Sequence, residues 1–183
     1  MHMANTHVSR WLTAALLISL APVAHGTGFS AVLNGKSIHL DSEYDWNESN
    51  VGLGLEYMLP TEHRWKRILF ANGFRDSMDE MTYMAGGGLH RRLFESDRFA
   101  GLYLDAGINL FLMTRDDVER GRPFPGVLPS LTIGNRYVGM NLTYMPRDAV
   151  QEFVNAEFVD PSISGIVFLQ VKVSVDRLLP SAN

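Results

Sequence analysis

The chain has 183 residues, 46% of them apolar, with 16 basic against 20 acidic side chains and a formal net charge of −4. That composition excludes a disordered or collagen-like chain, and the negative balance excludes charge-driven nucleic-acid binding. There is no cysteine, so an exported domain would have neither disulfides to hold it together nor thiolates to ligate a metal.

The segment 1–26 carries one formal charge, Arg10, then an apolar run from Trp11 to Ala24, and ends in Ala24-His25-Gly26. This is the pattern of a secretory signal peptide, which leaves a single domain over 27–183. Beyond it apolar residues recur at every second position, in segments bounded by charged or Gly/Pro/Asn clusters, which is strand periodicity. Strands are expected at about 29–40, 51–57, 65–75, 79–92, 102–112, 125–135, 138–144 and 167–175. In the second, Val51, Leu53, Leu55 and Tyr57 form one face and Gly52, Gly54 and Glu56 the other; the fifth sets Ile108, Leu110 and Leu112 against Asp105, Gly107 and Asn109. No apolar stretch past the leader reaches the ~18 residues of a transmembrane helix. Eight strands with one greasy face and one polar, glycine-bearing face predict an all-β fold. The arrangement expected is an eight-stranded antiparallel transmembrane β-barrel of the outer-membrane type, with its apolar face toward lipid. A soluble sandwich or lipocalin-like barrel, with that face turned inward, is the competing arrangement.

An even-stranded barrel of this type keeps both chain ends and the short turns in the periplasm. The periplasmic turns are then Pro60–Arg64, Leu93–Asp97 and Asn135-Arg136, and the external loops 41–48, 75–77, 114–122 and 147–162. Of the histidines past the leader, His63 falls in a periplasmic turn and His90 near the periplasmic end of the fourth strand. His39 falls at the external end of the first strand, on the same rim as Asp76 and Ser77. A histidine beside a serine and an acid can move an acyl group, because imidazole takes the hydroxyl proton at neutral pH; the plainer reading is a polar rim beside a turn.

No histidine pair has metal-ligand spacing, and no cofactor is expected. Asp116-Asp117 with Arg115, Arg120 and Arg122 is either a solvated charge cluster or a set of basic groups that meets lipid phosphates. Gly52, Gly54, Gly88, Gly107 and Gly139 fall on the inward face and leave room in a lumen. A chain extended from Ser77 to Gly88 would run roughly 36 Å along a strand, or roughly 25 Å of depth at ~45° tilt, enough for an extended long acyl chain. Pro123, Pro125, Pro129 and Pro146 gather where the sixth strand starts and the seventh ends. Unable to donate to the ladder, they leave either a weak seam open to lipid or merely relieved edges.

The stretch from Pro123 to Pro146, with its proline and glycine spacing and its Thr143-Tyr144-Met145-Pro146 end, resembles the outer-membrane lipid A palmitoyltransferases (PagP). So do Gly73-Phe74-Arg75-Asp76-Ser77, Ala85-Gly86-Gly87-Gly88 and Thr114-Arg115-Asp116, and the resemblance is good over about 68–146. It implies that His39, ahead of Asn47-Glu48 and a glycine-rich second strand, is the catalytic histidine, with Asp76 and Ser77 as catalytic acid and serine. It further implies that Gly88 floors an acyl-chain slot and that Pro123, Pro125, Pro129 and Pro146 mark the seams. The implied activity moves a palmitoyl chain from the sn-1 position of a phospholipid to a hydroxyacyl chain of lipid A. The partners are then a phospholipid donor, a lipid A acceptor and outer-membrane lipids. The protein is expected to be a monomer, integral to the bacterial outer membrane, with its site facing the cell exterior. His39 is read as general base, Ser77 as the reacting or transition-state-stabilising hydroxyl, and Asp76 as the group that orients or charges the pair. Only Thr27-Gly28 precede the first strand where the family usually has an amphipathic helix, and 148–162 is an insertion. A lipid A deacylase or phospholipase using the same histidine and serine, and a non-enzymatic barrel with a plugged lumen, are the alternatives.

Overall fold

The computed structural model describes residues 28–61, 64–116, 118–149 and 162–178. The leader, His63, Asp117 and residues 150–161 of the insertion lie outside the described residues. The strands are β1 Gly28–Leu40, β2 Ser49–Met58, β3 Trp65–Arg75, β4 Met81–Ser96, β5 Leu102–Thr114, β6 Phe124–Gly134, β7 Val138–Pro146 and β8 Gly165–Ser174. Each pairs antiparallel with the next in the chain, and β8 closes on β1. The shortest, β7, has 9 residues, enough for a tilted strand to cross a bilayer.

The alternation of the sequence decides which face goes where. Val51, Leu53 and Leu110 point outward at 70%, 69% and 63% exposure, while Asn34, Glu56, Asn72, Asp105, Thr132, Gln170 and Lys172 are buried in the lumen. This is the reverse of a soluble sandwich or lipocalin-like barrel, and the molecule is a transmembrane barrel of the outer-membrane type. Exposed aromatics stand at both ends of the apolar band: Tyr83 and Tyr144 toward the long loops, Trp65, Phe94, Phe99 and Tyr137 toward the short turns. Such girdles belong at the two membrane interfaces.

Two irregularities shift the expected boundaries. β4 begins at Met81, so that 76–80 forms the turn, and runs on to Ser96. A bulge between Arg92 and Phe94 carries the strand past the expected stop. The turn there moves to 97–101, where Phe99, Ala100 and Gly101 take positive φ. A second bulge, at Gly35 in β1, matters more for function. Before it the buried residues are Val32 and Asn34; after it Ser37 is buried, and His39 follows on the same face. One extra residue has changed the phase of the alternation.

The ladders are uneven. β5 and β6 share eleven pairs, from Tyr103↔Gly134 to Met113↔Phe124, whereas β6 and β7 share five, from Gly134↔Gly139 to Ser130↔Thr143. Beyond Ser130 and Thr143, toward the long-loop rim, those two strands run on unpaired with each other.

Inside, the short-turn half of the lumen is a polar plug. Lys172 Nζ lies 2.7 Å from Glu56 Oε1, Arg92 pairs with Asp105, and Thr132 Oγ1 donates to Asn141 Oδ1 at 2.7 Å. Gln170 Nε2 donates to Asn34 Oδ1 at 2.5 Å, and the Arg92 guanidinium sits 4.4 Å from the Tyr103 ring centre. Charges this deep persist because each is paired and hydrogen-bonded.

Candidate functional site

The long-loop rim is organised by three consecutive residues of the β1–β2 loop. Trp46 stacks on the His39 ring, centroids 5.1 Å apart and planes 15° from parallel. Asn47 reaches across to the β3–β4 turn: its N–H donates to the Ser77 carbonyl at 3.1 Å and its Nδ2 to the Asp76 carbonyl at 2.9 Å. Glu48 turns back to β1, its Oε1 accepting the His39 N–H at 3.2 Å. The loop is a clip that holds the end of β1 against the turn carrying Asp76 and Ser77. The hydrogen bond from the His39 N–H, with Lys36 Nζ 3.4 Å from the other oxygen, holds the Glu48 carboxyl below the usual carboxylate value.

Asp76 is buried and its carboxylate is engaged within the turn. Oδ1 accepts the N–H groups of Met78 at 2.9 Å and Glu80 at 3.0 Å. Oδ2 accepts the Thr82 hydroxyl at 3.1 Å and faces Arg115 Nε at 3.4 Å. These bonds wrap the chain around half-buried Ser77, so Asp76 determines where that hydroxyl stands. The structure thus brings His39, Asp76 and Ser77 to one rim, tied through Asn47 and Glu48. The His39 side chain is 3% exposed, turned inward by the Gly35 bulge.

Beneath this rim the inner wall changes character with depth. Phe74, Phe111 and Phe124 are buried below the long loops, and Phe74 packs on Phe168 with ring centres 5.4 Å apart. A narrow internal pocket of about 40 Å³ continues downward between Val32, Ile68, Phe70, Met84, Leu128 and Phe168. It stops on a polar floor, where His90 Nε2 lies 2.8 Å from Asn109 Oδ1 and 3.2 Å from Ser130 Oγ. Gly88 faces inward at this level. A Cβ there would come within 2.9 Å of Ile68 Cγ1 and His90 Nε2, and closer still to Asn109 Oδ1, so any side chain at this position would have to displace those three. Only the seven steps from Met81 to Gly88 climb the wall. The depth is therefore ~23 Å along the strand and ~16 Å along the barrel axis, shorter than sequence separation alone gives.

Of the prolines, Pro125 and Pro129 lie on the outward face of β6 opposite Leu112 and Ile108 of β5, and Pro146 pairs with Gly165. Pro123 stands in the loop just before β6. Where β6 and β7 are unpaired, a side pocket of about 70 Å³ opens between Phe124, Pro125, Val127 and Met145 and reaches Phe111 and Leu128 on the inside. Arg115 lines it and also faces Asp76.

Sequence reasoning passed over Trp46 and the roles of Asn47 and Glu48, because side chains that act through a loop have no period. The buried hydroxyl of Ser37 and carbonyl oxygen of Asn50 also escaped it; neither has a hydrogen-bond partner among the described residues. The signal that was available is the phase change at Gly35: Phe29, Ala31 and Leu33 face out on odd positions, Ile38 and Leu40 on even ones.

Compared with known proteins, residues 26–158 match the family model described as "Antimicrobial peptide resistance and lipid A acylation protein PagP". A protein named lipid A acyltransferase PagP from Bordetella pertussis is 31% identical over 127 residues, 65% of this chain and 67% of that protein. Its namesake from Bordetella bronchiseptica matches to the same extent. Another of that name, from Methylobacillus flagellatus, is 30% identical over 82 residues, 45% of this chain and 42% of that protein.

Proposed function

The chain belongs to the PagP family, and from that premise we propose that it is an outer-membrane acyltransferase that moves a palmitoyl chain from the sn-1 position of a phospholipid to a hydroxyacyl chain of lipid A. The observation that carries the reading is the clip made by Trp46, Asn47 and Glu48, which seats His39 beside the Asp76-Ser77 turn at the mouth of an apolar, polar-floored pocket. The chemistry follows from those groups. His39 acts as general base, Ser77 supplies the hydroxyl that reacts or stabilises the developing oxyanion, and Asp76 fixes the turn that presents Ser77. The acyl chain follows the pocket down to the level of Gly88, parting the apolar side chains that line it, with its carbonyl at the rim.

The unpaired ends of β6 and β7, with Pro123, Pro125, Pro129 and Pro146 around them, support lateral entry of the donor chain from the membrane. A closed ladder would have to break to admit it, whereas here no β6–β7 pairing beyond Ser130 stands in the way. The rim faces the cell exterior, the mature domain begins after a signal peptide over 1–26, and the protein works as a monomer with no cofactor. Mass spectrometry of lipid A from cells with and without this chain tests the proposal. Gain of one palmitoyl group is the expected result. Loss of a hydroxyacyl chain would identify a deacylase, and an unchanged profile would leave a structural barrel.

A further inference from the structure

We propose that Glu48 is the carboxylate that positions the His39 imidazole for proton transfer; the inference rests on the acyltransferase reading above. Of the carboxylates at this rim, those of Asp76 and Glu48 bear on the serine turn and on His39. That of Asp76 has its hydrogen bonds to Met78, Glu80 and Thr82 and its ion pair to Arg115. That of Glu48 is directed at the histidine itself: Oε1 accepts the His39 N–H at 3.2 Å and lies 3.8 Å from Nδ1 of the same residue. One oxygen reaches both the main chain and the ring of a single histidine.

A general-base histidine needs such a partner. An acid at Nδ1 fixes the tautomer that leaves Nε2 to take the hydroxyl proton, and it stabilises the imidazolium as it forms. The Glu48 to Nδ1 separation is longer than a hydrogen bond, and catalytic contacts of this kind tighten when substrate is bound. Trp46 sets the plane of the ring by stacking, so two of three consecutive residues hold the imidazole while the third, Asn47, holds the serine turn. Lys36 engages the far oxygen of Glu48 from an exposed position, where solvent screens it.

The step balances without any further reagent. The attacking hydroxyl gives its proton to Nε2 as its oxygen bonds to the ester carbonyl carbon. The bond from that carbon to the glycerol oxygen breaks, and the proton passes to that oxygen to release the lysolipid. Glu48 stays ionised throughout.

Glu48→Gln keeps an oxygen for the His39 N–H and removes only the charge; Glu48→Asp keeps the charge on a shorter arm. The expected result in purified, detergent-folded protein is a kcat for acyl transfer lower by about 10- to 100-fold in Glu48→Gln, with both lipid KM values within about twofold and partial recovery in Glu48→Asp. Heat-resistant migration of the folded barrel is unchanged. In parallel, nitrogen NMR of labelled histidine, with His39→Asn for assignment, should show the His39 titration midpoint about one pH lower in Glu48→Gln, since the imidazolium loses its counter-charge. Wild-type kcat in Glu48→Gln, or an unmoved midpoint, overturns the proposal. A midpoint that moves in Glu48→Gln, when the unmutated protein itself transfers nothing to lipid A, upholds the pairing and sinks the acyltransferase reading.

Discussion

The two halves of the lumen are built to opposite specifications. Toward the short turns, ion pairs and side-chain amides interlock: Glu56 with Lys172, Arg92 with Asp105, Asn34 with Gln170, Thr132 with Asn141. Toward the long loops the wall is aromatic and aliphatic around narrow pockets, and one of the eight seams is unpaired. The contrast teaches a division of labour. A barrel has no solid apolar core, so cohesion comes from closed ladders and, in one half, a satisfied polar network. That frees the other half to stay apolar and loosely filled, where a polar plug would leave no place for a lipid chain.

The largest effect that would break this division is at the rim. His39→Ala or Ser77→Ala should lower acyl transfer by at least ~100-fold while the folded, heat-resistant barrel persists, checked by lipid A mass spectrometry beside unheated gel migration. The opposite outcome is expected at the plug. Lys172→Met strands the buried Glu56 carboxylate and should cost about 3–5 kcal/mol in urea unfolding, with transfer by the surviving folded protein near wild type. Adding Glu56→Gln should restore much of that stability. Between the halves, Gly88→Met should shorten the preferred acyl chain, read from the mass of the transferred group, and cost about 1–3 kcal/mol because the floor is already close-packed. An unchanged chain length would remove Gly88 from the slot.

Smallest is the pH response of the clip. Since the folded protein holds the Glu48 carboxyl below its ordinary value of 4.5, its anchoring is complete above that value and is lost as pH falls through the lowered one. Trp46 emission in a Trp65→Phe background should show a change in that acid window, separate from any response to the stacked His39 imidazole, and Glu48→Gln should remove the acid change.

How much of this was legible in the sequence differs between the same two regions. The barrel was readable because alternation along β2, β5, β7 and β8 is a consequence of the pleat, and each residue reports its own face. The rim was readable to the extent that strand counting placed His39, Asp76 and Ser77 at one end. What joins them was not: Asn47 and Glu48 act across 29 and 9 residues of chain, by hydrogen bonds that leave no repeating mark. The depth of the pocket was overestimated for a related reason, since 76–80 curls into a turn knotted by the Asp76 carboxylate and adds no height.

The kink at Gly35 gives this molecule a switch that operates by counting. Were that extra residue drawn into the regular pleat in place of the bulge, the lower part of β1 would stay in register with its neighbours. Its upper part would rotate by half a turn, presenting Ile38 to the interior and an imidazole to hydrocarbon, whereas deleting the residue would leave a flush strand with Ser37 and His39 still facing inward. The container survives either change, and the chemistry depends on the bulge keeping its extra residue out of the alternation.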